Sequence, residues 1–226
     1  MCLLLPDNRN GTEEMKGFWT LLMGCMLAFC DISAQEGFSC QALPDAVFIR
    51  MQGRSYAEGC TTPREDLRYL TVLHYNKDRE EQQGELVCHK DIADDLLDIF
   101  RELHKAMYPI ERMVLVDEYG ADDEASMRDN NTSAFNFRRI SGTKALSRHS
   151  RGMAIDINPL YNPCIRRRKG KQVVSPDNAA GYTDRSKKHP YKIERGDLCH
   201  RLFKAHGFTW GGDWKNSKDY QHFEKK

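Results

Sequence analysis

The sequence predicts an α+β domain: a small, mostly antiparallel sheet with helices on one face. Three observations predict it. Runs rich in β-branched and aromatic residues are separated by polar turns, one long segment carries apolar residues at helical spacing, and the strict strand-helix alternation of a doubly wound fold is missing. At 226 residues, 40% hydrophobic and 10% aromatic, the chain can bury one sizeable core and is too aromatic for a disordered segment.

Residues 1–34 read as an export signal. Met15-Lys16 precedes a 13-residue apolar run, Gly17 to Phe29, followed by the small stretch Ile32-Ser33-Ala34. That run is shorter than the roughly 20 residues needed to span a bilayer, so no membrane span is expected, and its flanks are those of a cleaved signal. Met15 is then the natural start, with cleavage near Ala34. Leu22-Met23-Gly24-Cys25 is a loose lipoprotein box, which offers a lipid anchor at Cys25 as the alternative.

Residues 35–66 mix Gly, Pro, Cys and polar residues without a clear period and read as a loop-rich lead-in, with the compact domain expected over 67–226. Arg68 to Tyr75 and Gly84 to His89 read as strands. Asp91 is expected to cap a helix in which Ile92, Leu96, Leu97, Ile99, Phe100, Leu103 and Met107 follow the helical period until Pro109. Met113 to Val116 reads as a further short strand, and Ala154 to Ile157 as another.

Charge narrows the partners. The chain holds 34 Lys+Arg and 33 Asp+Glu, which disfavours a dedicated nucleic-acid binder. The balance conceals a polarity: Glu85 to Asp129 has 13 acidic and 5 basic residues, whereas Cys164 to Lys204 has 12 basic and 4 acidic. Two solvated faces attracting each other would explain this; the run Arg166, Arg167, Arg168, Lys169, Lys171 would alternatively serve as a docking loop for an anionic polymer or headgroup. Past the signal five cysteines remain, Cys40, Cys60, Cys88, Cys164 and Cys199. They show no C-x-x-C spacing, and in an oxidising compartment Cys40 with Cys60 and Cys164 with Cys199 would be permitted pairs.

Two clusters carry chemistry. Ser147-Arg148-His149-Ser150-Arg151-Gly152-Met153-Ala154-Ile155-Asp156 sets a histidine seven residues before a carboxylate, with a glycine turn between them. Asp219-Tyr220-Gln221-His222-Phe223-Glu224 lies near the end. Two His and one Asp make a three-ligand set for zinc with one position open, as catalytic zinc requires. Asp219, three residues before His222, is then placed to act as general base, ahead of Asp213, which lies nine residues before that histidine. Trp210 and Trp214 flank Gly211-Gly212-Asp213 and either wall a cleft or pack on a turn.

The wording "SRHSRGMAIDINPLYNP" and "GFTWGGDW…DYQHFE" resembles the S-x-H-x-x-G-x-A-x-D and D-x-x-H elements of the zinc peptidoglycan peptidases, the D-alanyl-D-alanine carboxypeptidases and L-alanyl-D-glutamate endopeptidases. "NNTSAFNFR" and "YPIERMVLVDEYG" look like the VanY-like branch. The resemblance covers about Leu67 to Lys226. It implies a hedgehog or D,D-peptidase type of fold whose sheet floors a zinc cleft, and an exported enzyme, periplasmic or in the cell envelope, acting on peptidoglycan stem peptides.

It further implies one zinc ion held by His149, Asp156 and His222, with Asp219 as base and Ser147 against substrate or supporting the site. Aspartate rather than glutamate at the base position is closer to the L-alanyl-D-glutamate endopeptidases. The family's S-G-Y-R element is absent; Arg138 stands in for its cleft arginine through the looser "TSAFNFR" match, with Arg128 as rival. A D-alanyl-D-alanine carboxypeptidase, a zinc-containing wall-binding module without turnover and, more distantly, a cysteine peptidase using Cys164 or Cys199 are the competing readings.

Overall fold

Alternation along two long strands decides where the core sits. A computed structural model describes residues 36–140 and 142–226 of the protein; the expected export signal, with Met15 and Cys25, lies outside them. The elements run β1 (Ser39–Ala42), α1 (Asp45–Met51), β2 (Leu67–Tyr75), β3 (Glu81–His89), α2 (Lys90–Lys105), α3 (Asp123–Arg128), β4 (Ala154–Asp156), β5 (Cys164–Arg168), β6 (Lys171–Ser175), α4 (Leu198–Ala205), β7 (Thr209–Trp210), β8 (Lys218–Asp219) and β9 (His222–Glu224). They form three small antiparallel sheets, ordered β1-β2-β3, β4-β9-β7 and β6-β5-β8. The protein is α+β, as the sequence predicts.

In the first sheet Leu70, Val72, Leu86 and Cys88 face α2 and the main core, while Leu67, Tyr69 and Val87 face α1 with Leu43, Val47 and Met51. Successive strand residues point to opposite faces, so one ladder serves two apolar layers. Helices therefore cover both faces of this sheet, not one.

Residues 36–66 of the expected lead-in hold more regular structure than their composition suggests. β1 pairs with β2 from Ser39 opposite Thr71 to Ala42 opposite Arg68, and α1 closes the second apolar layer. Ser55 donates from its backbone N and its Oγ to the two carboxylate oxygens of buried Asp117, at 3.0 and 2.9 Å. Thr62 Oγ1 donates to the Ser150 carbonyl at 2.9 Å, which ties the segment to the turn that carries His149. These elements are too short to show a period, which is why composition alone reads as loop.

Two local expectations also change. The cap of α2 is His89, whose Nδ1 accepts from the Asp91 backbone N at 3.2 Å; Asp91 lies inside the first turn. Met113 to Val116 joins no ladder. Instead the Asn131 side-chain amide replaces a partner strand, its Oδ1 accepting from Val114 N and its Nδ2 donating to Val114 O, both at 2.9 Å. All five cysteines among the described residues are unpaired, so neither permitted disulfide is present.

Candidate metal centre

Strand pairing brings the two sequence clusters together. In the β4–β9 ladder Asp156 lies directly opposite His222, and side chains of opposed residues share a face. His149 enters from the single 3-10 turn Arg148–Arg151 that leads into β4. Ser147 caps that turn by accepting from His149 N at 3.3 Å. Gly152 ends it at φ +65°, and a Cβ there would come within 2.6 Å of His89 N. The turn can pack on the β3–α2 junction only because this position is glycine.

The three donors converge. His222 Nδ1 is 2.9 Å from Asp156 Oδ1, His149 Nε2 is 3.3 Å from Asp156 Oδ2, and the two ring nitrogens are 3.2 Å apart. One donor atom from each residue falls within 4.8 Å of the others, and all three residues are buried. The far nitrogens fix the tautomers: His149 Nδ1 donates to the Ala134 carbonyl at 2.6 Å, and His222 Nε2 to Glu224 Oε2 at 3.1 Å. As neutral ligands the two rings would each turn a lone pair, not a proton, toward the other and toward the Asp156 carboxylate. Three acceptor atoms facing one another in a buried site suit a cation, so the donor set fits a metal ion.

Electrostatics point the same way. Burial alone would lower the His222 pKa, but the Asp156 and Glu224 carboxylates outweigh it and raise it to about 10. Burial would raise that of Asp156, yet His149 and His222 hold it well below the usual carboxylate range. A positive charge is thus strongly favoured at this point, and a proton is merely the smallest way of supplying it.

The cleft above the cluster encloses about 680 Å³ and is lined by Arg138, Ser147, Trp214 and Asp219, among others. Asp219 sits on β8 opposite Cys164 of β5, outside the three-donor group. Burial, then the Asp156 charge, push its pKa up, and its Oδ1 has no hydrogen-bond partner. An unpartnered carboxylate oxygen raised toward neutrality is suited to accepting a proton. Gly211 holds it there: a Cβ on Gly211 would lie 2.5 Å from the Asp219 carbonyl and 2.8 Å from its Cβ. Gly211→Ala is therefore expected to cost about 1–3 kcal/mol in thermal unfolding by overpacking, and to lower turnover about tenfold or more by displacing Asp219. Metal content should be unchanged; a variant with wild-type turnover would mean that the strand absorbs the methyl group.

Other expected residues separate. Arg138 reaches the cleft, its guanidinium 2.9 Å from Asp123 Oδ2 and its Nε buried without a partner. Arg128 is instead bound in an ion pair with Asp177 and does not line the cleft. Trp214 stands beside His222 with ring centroids 5.3 Å apart. Trp210 is core: it is buried, lies against Phe223 and donates from Nε1 to the Tyr220 carbonyl at 2.9 Å. It does not line the cleft, which corrects its expected substrate-binding role. Asp213 is taken up by Arg195 at 2.5 Å. Burial pushes both the Cys199 and Cys164 thiols up, and Asp219 adds to the shift of Cys164, so neither offers the thiolate a cysteine peptidase needs.

Sequence reasoning passed over two partners. Asp123 secures Arg138, and Glu224 secures the far nitrogen of His222. Glu224 had a signal: in a strand, residues two apart share a face, so H-x-E can pair a ligand with its supporting carboxylate. Asp123 had none, because it meets Arg138 through tertiary folding.

By its donor set this is a site able to hold a metal ion. A more particular likeness comes from known families: residues 141–225, which contain His149, Asp156, Asp219 and His222, match the family model described as D-alanyl-D-alanine carboxypeptidase. The resemblance carried by the two motifs is thus borne out over that segment. No solved structure matches the chain. Among the described residues no helix is long and apolar enough to cross a membrane.

Proposed function

We propose that the protein is an exported zinc peptidase of the periplasm or cell envelope that hydrolyses peptidoglycan stem peptides next to a D-amino acid. The observation that carries this reading is the convergence of three buried lone-pair donors, His149, Asp156 and His222, beneath a cleft that also holds an unpartnered carboxylate. A bound zinc ion would acidify a water molecule and polarise a carbonyl oxygen. Asp219 would take the proton released as the nucleophile forms and pass it to the leaving amine. Arg138, steadied by Asp123, would turn its free N–H toward a substrate carboxylate or the developing oxyanion.

Aspartate at the base position favours cleavage of the L-alanyl-D-glutamate bond. The description of the matched family favours removal of terminal D-alanine instead. Digestion of purified peptidoglycan, with the fragments identified by mass spectrometry and zinc measured in the same preparation, separates the two because the products differ. Zinc without any hydrolysis would favour a wall-binding module; no zinc and no hydrolysis would overturn the reading. N-terminal sequencing of protein from its host distinguishes cleavage near Ala34 from acylation at Cys25.

Arg138 can be tested alone. Lysine keeps the charge but loses the planar fork, so Arg138→Lys is expected to lower kcat/KM by about tenfold without loss of zinc. An effect on KM assigns it to substrate binding and one on kcat to the oxyanion. Unchanged kinetics for both Arg138→Lys and Arg138→Ala would make it a structural residue.

A further inference from the structure

The basic run singled out in the sequence forms the hairpin β5–β6, and one face of that hairpin continues the wall of the cleft. Cys164, at the inner end, is opposite Asp219. Side chains two apart on a strand share a face, so Cys164, Arg166 and Arg168 project on the same side at steps of about 6.6 to 6.8 Å. The ladder sets Ser175, Val173 and Lys171 opposite them, on that same face. Cys164, Arg166 and Ser175 line the cleft. Farther out, Arg168 packs over Gly142, and Val173 is exposed at 39%. The face thus runs outward from Asp219 as a line of cations, Arg166, then Arg168 with Lys171.

No carboxylate among the described residues neutralises these charges. Among the described residues Arg166, Arg168 and Lys171 make no ion pair, although Lys and Arg elsewhere make many. The acidic residues of the facing wall have partners other than these three cations, one of them Ser175 at the inner end of the hairpin. Asp122 accepts from the backbone N of Glu124 and Ala125, Asp123 pairs with Arg138, and Glu124 accepts from Ser175 Oγ and Asp177 N. The attraction between oppositely charged stretches of the sequence therefore does not satisfy the hairpin.

We propose that Arg166, Arg168 and Lys171 form an anion track that receives the carboxylates of the substrate strand beyond the scissile bond. The inference rests on the proposed function, because stem peptides carry free carboxylates at D-glutamate and at terminal D-alanine. It adds a substrate preference: a strand bearing several carboxylates, as in polymeric peptidoglycan, engages both the cleft and the hairpin, whereas a short amidated peptide engages only the cleft. Contacts of this kind are solvent-exposed, so they weaken as salt is added.

The test compares two double variants that remove equal charge. Arg168→Gln/Lys171→Gln strips the outer track; Arg167→Gln/Lys169→Gln strips the opposite face and the tip of the same hairpin. The readout is co-sedimentation with purified peptidoglycan at low and raised NaCl, a measurement that needs no turnover. Melting temperatures of both variants verify folding. The first variant is expected to bind about fivefold more weakly at low salt, the scale of two exposed charge contacts, and to lose most of the salt dependence. The second should bind as the wild type does. Equal losses in both variants would reduce the effect to net charge and overturn the track, as would a wild-type protein that does not sediment. A protein that sediments in this pattern but hydrolyses nothing would refute the proposed peptidase and leave the track standing.

Discussion

Replacing His222 by alanine is expected to abolish stoichiometric zinc binding and peptide hydrolysis together. Its Nδ1 is one of three donors in the buried cluster, set directly opposite Asp156 in the ladder. Two remaining donors are fewer than the three protein ligands a catalytic zinc site uses. Metal analysis and a zinc titration followed by calorimetry would check this, with circular dichroism to verify that the variant is folded. If His222→Ala kept one zinc per chain at wild-type affinity, the ligand assignment would be wrong.

Asp219→Asn is expected to do the reverse, keeping zinc while turnover falls by about 10²-fold or more, the scale of lost general-base catalysis. Asparagine has nearly the same shape but cannot take up a proton, and Asp219 lies outside the donor cluster. Its unpartnered Oδ1 and raised pKa are features that a structural carboxylate would not need. Single-turnover kinetics beside a zinc assay make the separation visible. Full activity in this variant would remove Asp219 from the mechanism and turn attention to Glu224, since Asp213 is held by Arg195 outside the cleft.

The parts of the fold that were legible in the sequence are those with a long, regular pattern. β2 carries enough apolar residues at a period of two to be placed within one residue, and α2 enough at 3.6 for its start. The helix nevertheless ends at Lys105, and Met107, expected on its apolar face, lies beyond it in a left-handed turn and is exposed. The motif around His149 and Asp156 is dense enough to be read as a site. The segment 35–66 was not legible because β1 and α1 are each a few residues long and their apolar positions make sense only against the far face of β2 and β3. Met113 to Val116 misled for a different reason. Its residues favour a strand, but one Asn131 side chain supplies the partner that a ladder would have supplied.

Within the site the ligands could be read and their supports largely could not. His149 is fixed by a backbone carbonyl from Ala134, and a carbonyl leaves no mark in a sequence. The two tryptophans look equivalent on either side of Gly-Gly-Asp, yet the chain turns between them. Trp210 falls among Phe203, Phe223 and Tyr220 in the core, and Trp214 at the cleft. Spacing alone does not tell which of two flanking aromatics faces inward.

The last strand has a thermodynamic consequence. In β9 the side chains of His222 and Glu224 point to the site while Phe223, between them, is wholly buried and stacks on Phe203 with ring centroids 4.2 Å apart. The donor cannot swing away by local fraying, because the residue next to it is locked into the interior. Loss of the ion and loss of the tertiary structure should therefore be one cooperative event, with the amide of Phe223, opposite Ile155 in the ladder, exchanging its hydrogen only through global opening. Free zinc at a thousand times its dissociation constant would then add about 4 kcal/mol to the stability of the whole domain, and a chelator would lower a single melting transition instead of creating a second one.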